Sequence, residues 1–129
     1  MTPEAGRGLT AYHGTDIASA RNLLRGELLS TAAAAARKID GPPGFFLAIE
    51  VDDAIFFALR RAPGGVLEYR LSANAVEQLR VAGAVCRPIP PAKAIRFLGN
   101  EFHIPLEAFD LLHQLRAAGE IVIMPAAGV

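Results

Sequence analysis

Proline and glycine punctuate this chain so often that no segment is free to run long. Gly41-Pro42-Pro43-Gly44, Pro63-Gly64-Gly65, the prolines at 88, 90 and 91, and the single glycines 26, 99 and 119 each break backbone pairing or permit a turn. Proline lacks an N–H, and glycine accepts backbone angles closed to other residues. The pieces in between have room for one strand or one short helix each, so the fold must be assembled from many short elements. Their order does not follow the regular strand–helix alternation of a doubly wound domain, and no Gly-x-Gly-x-x-Gly follows a strand. There is no internal repeat.

Each piece has a readable period. Residues 1–8 carry none and are expected to be a disordered lead-in, leaving 9–129 as a single domain. Leu9–His13 suits a strand. Thr15 or Asp16 can cap a helix carrying Ile17, Ala20, Leu23 and Leu24, with Gly26 as its stop. The alanine run from Thr31 to Arg37 offers nothing large to bury and is read as a mobile connection with one helical turn. Phe45–Ile49 reads as a buried strand. Asp52 is expected to cap a helix that is apolar most of the way round, hence largely buried.

Val66–Leu71 alternates, with Leu67, Tyr69 and Leu71 on one face and Glu68 and Arg70 on the other. Ser72 caps a short helix near Ala75–Leu79, and strands are expected at Val81–Cys86 and Ala94–Leu98. Asn100–Ile104 alternates again, Phe102 and Ile104 pointing one way and Glu101 and His103 the other. His103 is read as a solvated histidine sharing the face of Glu101. A last helix runs from Pro105 to about Ala118, with Leu106, Phe109, Leu112 and Leu115 as its buried stripe, and Ile121–Met124 closes the chain as a strand.

Composition limits the function classes. Thirteen basic residues balance thirteen acidic ones, so no net charge draws the chain to nucleic acid or an anionic membrane. No apolar run reaches the ~20 residues a bilayer span requires, and the first residues lack an apolar signal core. The expected location is the cytoplasm, unless the protein is exported as an effector by another route. The single cysteine, Cys86, cannot form an intrachain disulfide and is read as a half-buried strand residue.

Three motifs stand in sequence: Tyr12-His13-Gly14-Thr15 at the end of a strand, Gly44-Phe45-Phe46 opening another, and Asn100-Glu101-Phe102 opening a third. Singly, Glu101 reads as a solvated edge residue, His13 as a surface or core group, and Phe46 and Phe57 as core aromatics. In this order the motifs resemble those of the ADP-ribosyltransferases of the diphtheria-toxin and poly(ADP-ribose) polymerase type, over about Leu9 to Ile104. The resemblance implies an α+β fold of two packed, mostly antiparallel sheets with flanking helices and a cleft for NAD.

It also implies roles. Cleaving the nicotinamide–ribose bond builds positive charge on the ribose, as in glycoside hydrolysis. A carboxylate beside that ribose favours the charged transition state, and Glu101 is the residue so placed in the family pattern. His13 would bond the adenosine ribose. The backbone of Gly14 would grip the nicotinamide carboxamide, Thr15 would cap the helix, contact the ligand or do both, and Phe46 and Phe57 would wall the ring.

The toxins carry tyrosines at those two aromatic positions. Their spacing is kept here, 57 − 46 = 11, but both hydroxyls are gone. Gly99, two residues before Glu101, replaces the first acid of the Glu-x-Glu pattern found in arginine-specific relatives. The expected activity is transfer of ADP-ribose from NAD to a protein or nucleic-acid acceptor, in a toxin or effector module with an antitoxin or immunity protein as a partner. The alternatives are NAD hydrolysis in the same cleft, a relative of the RNA 2′-phosphotransferases, and a non-catalytic NAD-binding or protein-interaction module.

Overall fold

The structure, a computed structural model, describes residues 7–37, 42–90 and 97–128. Its strands are β1 (Leu9–Asp16), β2 (Gly44–Ala48), β3 (Gly64–Leu71), β4 (Val85–Pro88), β5 (Asn100–Pro105) and β6 (Ile121–Ala127). Its helices are α1 (Ile17–Leu24), α2 (Thr31–Ala36), α3 (Val51–Leu59), α4 (Ala73–Val81) and α5 (Phe109–Ala117), the last entered through a 3-10 turn at Leu106–Ala108. The strands form one six-stranded sheet in the order β4-β5-β2-β1-β3-β6, every neighbouring pair antiparallel. The expected pair of packed sheets is therefore corrected to a single sheet. It is continuous because β1 has a partner on each side.

Strand alternation gives the sheet two unlike faces. On one, Ala11, Phe45, Leu47, Leu67, Tyr69, Phe102, Ile104 and Ile121 meet Leu23 of α1, Val76 and Leu79 of α4, and Phe109, Leu112 and Leu115 of α5. Removing a Leu- or Phe-sized side chain from water contributes about 1.5–3 kcal/mol, so this layer holds the fold together. The other face carries a smaller cluster, in which Ala54 and Ala58 of α3 pack on Ala48 and Val66, with Ile89 beside them.

Short polar residues start the helices. Asp16 caps α1 by accepting from the Ser19 N–H at 2.8 Å, so the cap falls to Asp16 and not to Thr15. Ser30 caps α2 and Ser72 caps α4, each accepting from a backbone N–H at 3.0 Å. The Ser30 cap explains why Thr31–Ala36 is a six-residue helix where a mobile connection with one helical turn was expected. Helix α3 starts at Val51, without a side-chain cap, so Asp52 is not its cap.

Val81 belongs to α4 and is exposed, leaving Val85–Pro88 as the strand. Cys86 is likewise exposed. Leu59 turns to solvent, so α3 is buried along one stripe only. Of the expected strand at Ala94–Leu98, residues 94–96 lie outside the described residues, and Phe97 and Leu98 are not in a strand. The lead-in expected at 1–8 lies outside them except for residues 7 and 8.

Candidate functional site

Strand β1 is bonded very differently on its two sides. Against β3 it pairs along its whole length, from Leu9↔Leu71 to Asp16↔Gly64. Against β2 it has the single pair Tyr12↔Ala48. The direction of the free groups follows from the bonds at the ends. The Ile17 N–H donates to the Pro63 carbonyl at 2.9 Å, and bonded pairs alternate along an antiparallel ladder. Ala11, His13 and Thr15 therefore bond β3, whereas Tyr12, Gly14 and Asp16 turn their N–H and C=O towards β2.

On the far side, the Ile49 N–H donates to the Asn100 carbonyl at 2.9 Å. The same alternation then turns Phe46 and Ala48 towards β1. The rung after Tyr12↔Ala48 would join Gly14 to Phe46, and it does not form. The Phe46 carbonyl takes a bond from His13 Nδ1 at 3.0 Å instead. A carbonyl only accepts, so Nδ1 carries the proton and Nε2 is the bare nitrogen. Burial pushes the His13 pKa down to about 4, with the Phe46 bond opposing the shift.

The opening has a fixed roof. A Cβ at Gly14 would run into the Ala54 carbonyl, and one at Gly64 into the Ala58 carbonyl, so α3 lies with its backbone against both strands. Only glycine allows that approach. The result is a gap in which the Gly14 donor and acceptor face the Phe46 backbone beneath a helix.

Glu101 stands in the row of the closed rung, two residues along from the open one, whose row continues to His103. Register runs Tyr12↔Ala48↔Glu101 across three strands, placing the Tyr12 and Glu101 side chains on one face, two strand spacings or about 10 Å apart. Glu101 is 4% exposed, and its Oε2 accepts from Arg87 Nε at 2.9 Å. The guanidinium lies over the Phe46 ring at 5.7 Å, and His103 packs on the same ring at 5.0 Å. Burial and the Arg87 charge both lower the His103 pKa.

The six expected residues are brought together only in part. Gly14, Phe46 and Glu101 line one face of the opening. The His13 side chain does not face Glu101: alternation sends it to the other face, where its ring packs on Phe45 at 4.3 Å. It reaches the gap only through its bond to Phe46. Thr15 is buried on the side of His13, with its hydroxyl 3.5 Å from Asp16 Oδ2. Phe57 stacks on Phe97 at 5.1 Å, so the two phenylalanines keep separate partners.

Three residues that matter here were not assigned from the sequence. Asp53, 3% exposed, accepts from the Leu98 and Gly99 N–H groups at 2.8 and 2.9 Å and so fixes the approach to Glu101. An acid inside an otherwise apolar helix was the available signal. His103 is buried, not solvated, because Phe46 covers it and its Nε2 lies 3.3 Å from the Pro43 carbonyl. Arg87 had no signal, since nothing in the sequence sets the β4–β5 register. Among the described residues no His, Cys, Asp and Glu cluster could hold a metal, and no helix is long and apolar enough to cross a membrane. The chain matches no protein-family model, no curated protein and no solved structure.

Proposed function

We propose that the gap between β1 and β2 binds NAD and that the protein is an NAD-consuming ADP-ribosyltransferase of the kind its three motifs resemble. One observation carries this reading: the missing Gly14–Phe46 rung, which leaves a backbone donor and acceptor of Gly14 turned into the seam between β1 and β2, next to the face on which Glu101 is buried. A carboxamide needs one acceptor and one donor, and an opened strand offers both at fixed spacing. Beside it, the Glu101 carboxylate stabilises the positive charge that develops on the ribose as nicotinamide leaves. His13 supports the opening from the opposite face, where its Nδ1–H holds the Phe46 carbonyl. Phe46 supplies apolar surface at the opening.

A second reading rests on the lack of a hydroxyl at both Phe46 and Phe57 and on Phe57 being committed to Phe97. It is a module that binds NAD without consuming it. Labelled NAD separates the two. The wild-type chain is expected to release nicotinamide and to label a macromolecule in a cell lysate, and Glu101→Gln to lose about 3–4 kcal/mol of barrier stabilisation, on the order of a hundredfold to a thousandfold in rate. Nicotinamide release without label would mean hydrolysis. NAD-dependent thermal stabilisation with no release would favour the binding module, and neither effect would remove the NAD site altogether.

A further inference from the structure

Arg87 reaches the candidate site from the edge strand β4, where it pairs in register with Glu101. Two contacts hold its guanidinium: the 2.9 Å bond from Nε to Glu101 Oε2 and the Phe46 ring beneath it. Nε–H and one N–H of Nη2 lie parallel on the same edge of a guanidinium, the edge that usually grips both oxygens of a carboxylate. Here the grip is single. Nη2 is buried and has no hydrogen-bond partner among the described residues. A buried donor left without an acceptor is costly, and such exceptions call for a cause.

The single grip leaves Nη2–H without an acceptor, while the bond from Arg87 occupies only one of the two carboxylate oxygens of Glu101. A hydroxyl group is chemically suited to both, since it can donate to a carboxylate oxygen while accepting from an N–H. A second carboxylate would meet Glu101 with like charge, and a cationic ligand would meet Arg87 with like charge. A neutral group that both donates and accepts, as a hydroxyl does, suits both partners.

We propose that Arg87 is the positioning residue of this site: it holds Glu101 by Oε2 and, through Nη2, orients the ribose 2′-hydroxyl that bonds to Oε1. This rests on the NAD reading above. No bond is made or broken by Arg87. It fixes the carboxylate in one rotamer and the hydroxyl in one direction, both set before the nicotinamide–ribose bond breaks.

The test uses the full chain, NAD, and NAD lacking the 2′-hydroxyl on the nicotinamide ribose. Nicotinamide release is measured for wild type, Arg87→Gln and Arg87→Lys, with circular dichroism and melting checked for each. Arg87→Gln is expected to lower kcat about a hundredfold, the scale of loss when a reacting group is misplaced by an ångström, with KM little changed. Arg87→Lys recovers part of the loss, because its ammonium can still bond Oε2. The decisive readout is the penalty for deleting the hydroxyl, large in wild type and much smaller in Arg87→Gln.

A wild-type kcat in Arg87→Gln, or the same hydroxyl penalty in both proteins, overturns the proposal while leaving the NAD reading intact. If Arg87→Gln melts early, the Arg87→Lys penalty decides in its place: one below that of wild type supports the proposal, and an unchanged one overturns it. A wild type that neither binds nor consumes NAD overturns both.

Discussion

The two seams of β1 are made of the same chemistry and end differently. Towards β3, all eight residues from Leu9 to Asp16 find partners, and the seam lies over a packed apolar layer. Towards β2, pairing stops after Tyr12↔Ala48, where His13 takes the Phe46 carbonyl and the backbone of α3 lies against Gly14. A strand closes its ladder where nothing competes for its groups. It opens where a side chain supplies the missing bond and a helix holds the backbone in place.

The comparison is broken most severely at Gly14. Gly14→Val places a branched side chain against the Ala54 carbonyl, which is helix backbone and cannot step aside. A loss of about 3 kcal/mol or more is expected, at the upper end of overpacking costs, read as a lower urea midpoint. Gly26→Ala makes the control, because its added Cβ meets nothing and only the backbone, at φ 102°, resists. It should cost about 1 kcal/mol.

Next in size is the pH dependence of the open seam. His13 is neutral in the fold with a pKa of about 4, against an ordinary value of 6.5. The unfolded chain therefore binds a proton that the folded chain refuses. Stability from this group is complete above about pH 6.5, falls as pH drops towards 4, and levels off below, a total of up to about 3 kcal/mol. His103 and His113 are shifted in the same direction and add to the slope. Denaturant melts of His13→Gln across this window should give a shallower fall than wild type; an equal slope would place the acid sensitivity elsewhere.

Asp53→Ala tests the support behind Glu101. It strips the Leu98 and Gly99 N–H groups of their acceptor, at a cost of about 1–3 kcal/mol, and should lower the melting temperature and, on the proposed reading, the rate of NAD turnover. The smallest effect is expected on the outer edge. Cys86→Ser at an exposed position should stay within about 0.5 kcal/mol of wild type in the same melts.

The two seams also differ in how far they were legible. Alternation in Val66–Leu71 gave the faces of β3 correctly, and the alternation of Phe102 and Ile104 against Glu101 and His103 gave those of β5, because a strand's period of two is written in the residues themselves. The opening towards β2 was not legible. It depends on where β1 stops pairing with a strand more than thirty residues away, and local periodicity carries no register.

The same limit explains His13. The resemblance placed it with Gly14 in one NAD cleft, yet side chains of neighbours on a strand point to opposite faces. Arg87 and Asp53 were missed because their roles come from partners 14 and 45 residues away. The alanine helix was missed for a different reason. Its stability comes from the Ser30 cap and from Ala34 seated in the core, not from large side chains.

The contact of α3 with Gly14 and Gly64 has one more consequence. Backbone resting on backbone has no rotamers to adjust, so the width of the gap beneath the helix is set before anything enters it. For the proposed NAD site, a ligand that fits need not order its own pocket and avoids the entropic cost that flexible pockets impose on binding. One that is too thick cannot be accommodated by side-chain rearrangement and would have to lift the helix as a unit. On the proposed reading, the opening in β1 would act as a rigid gauge, selecting by thickness before any hydrogen bond is made.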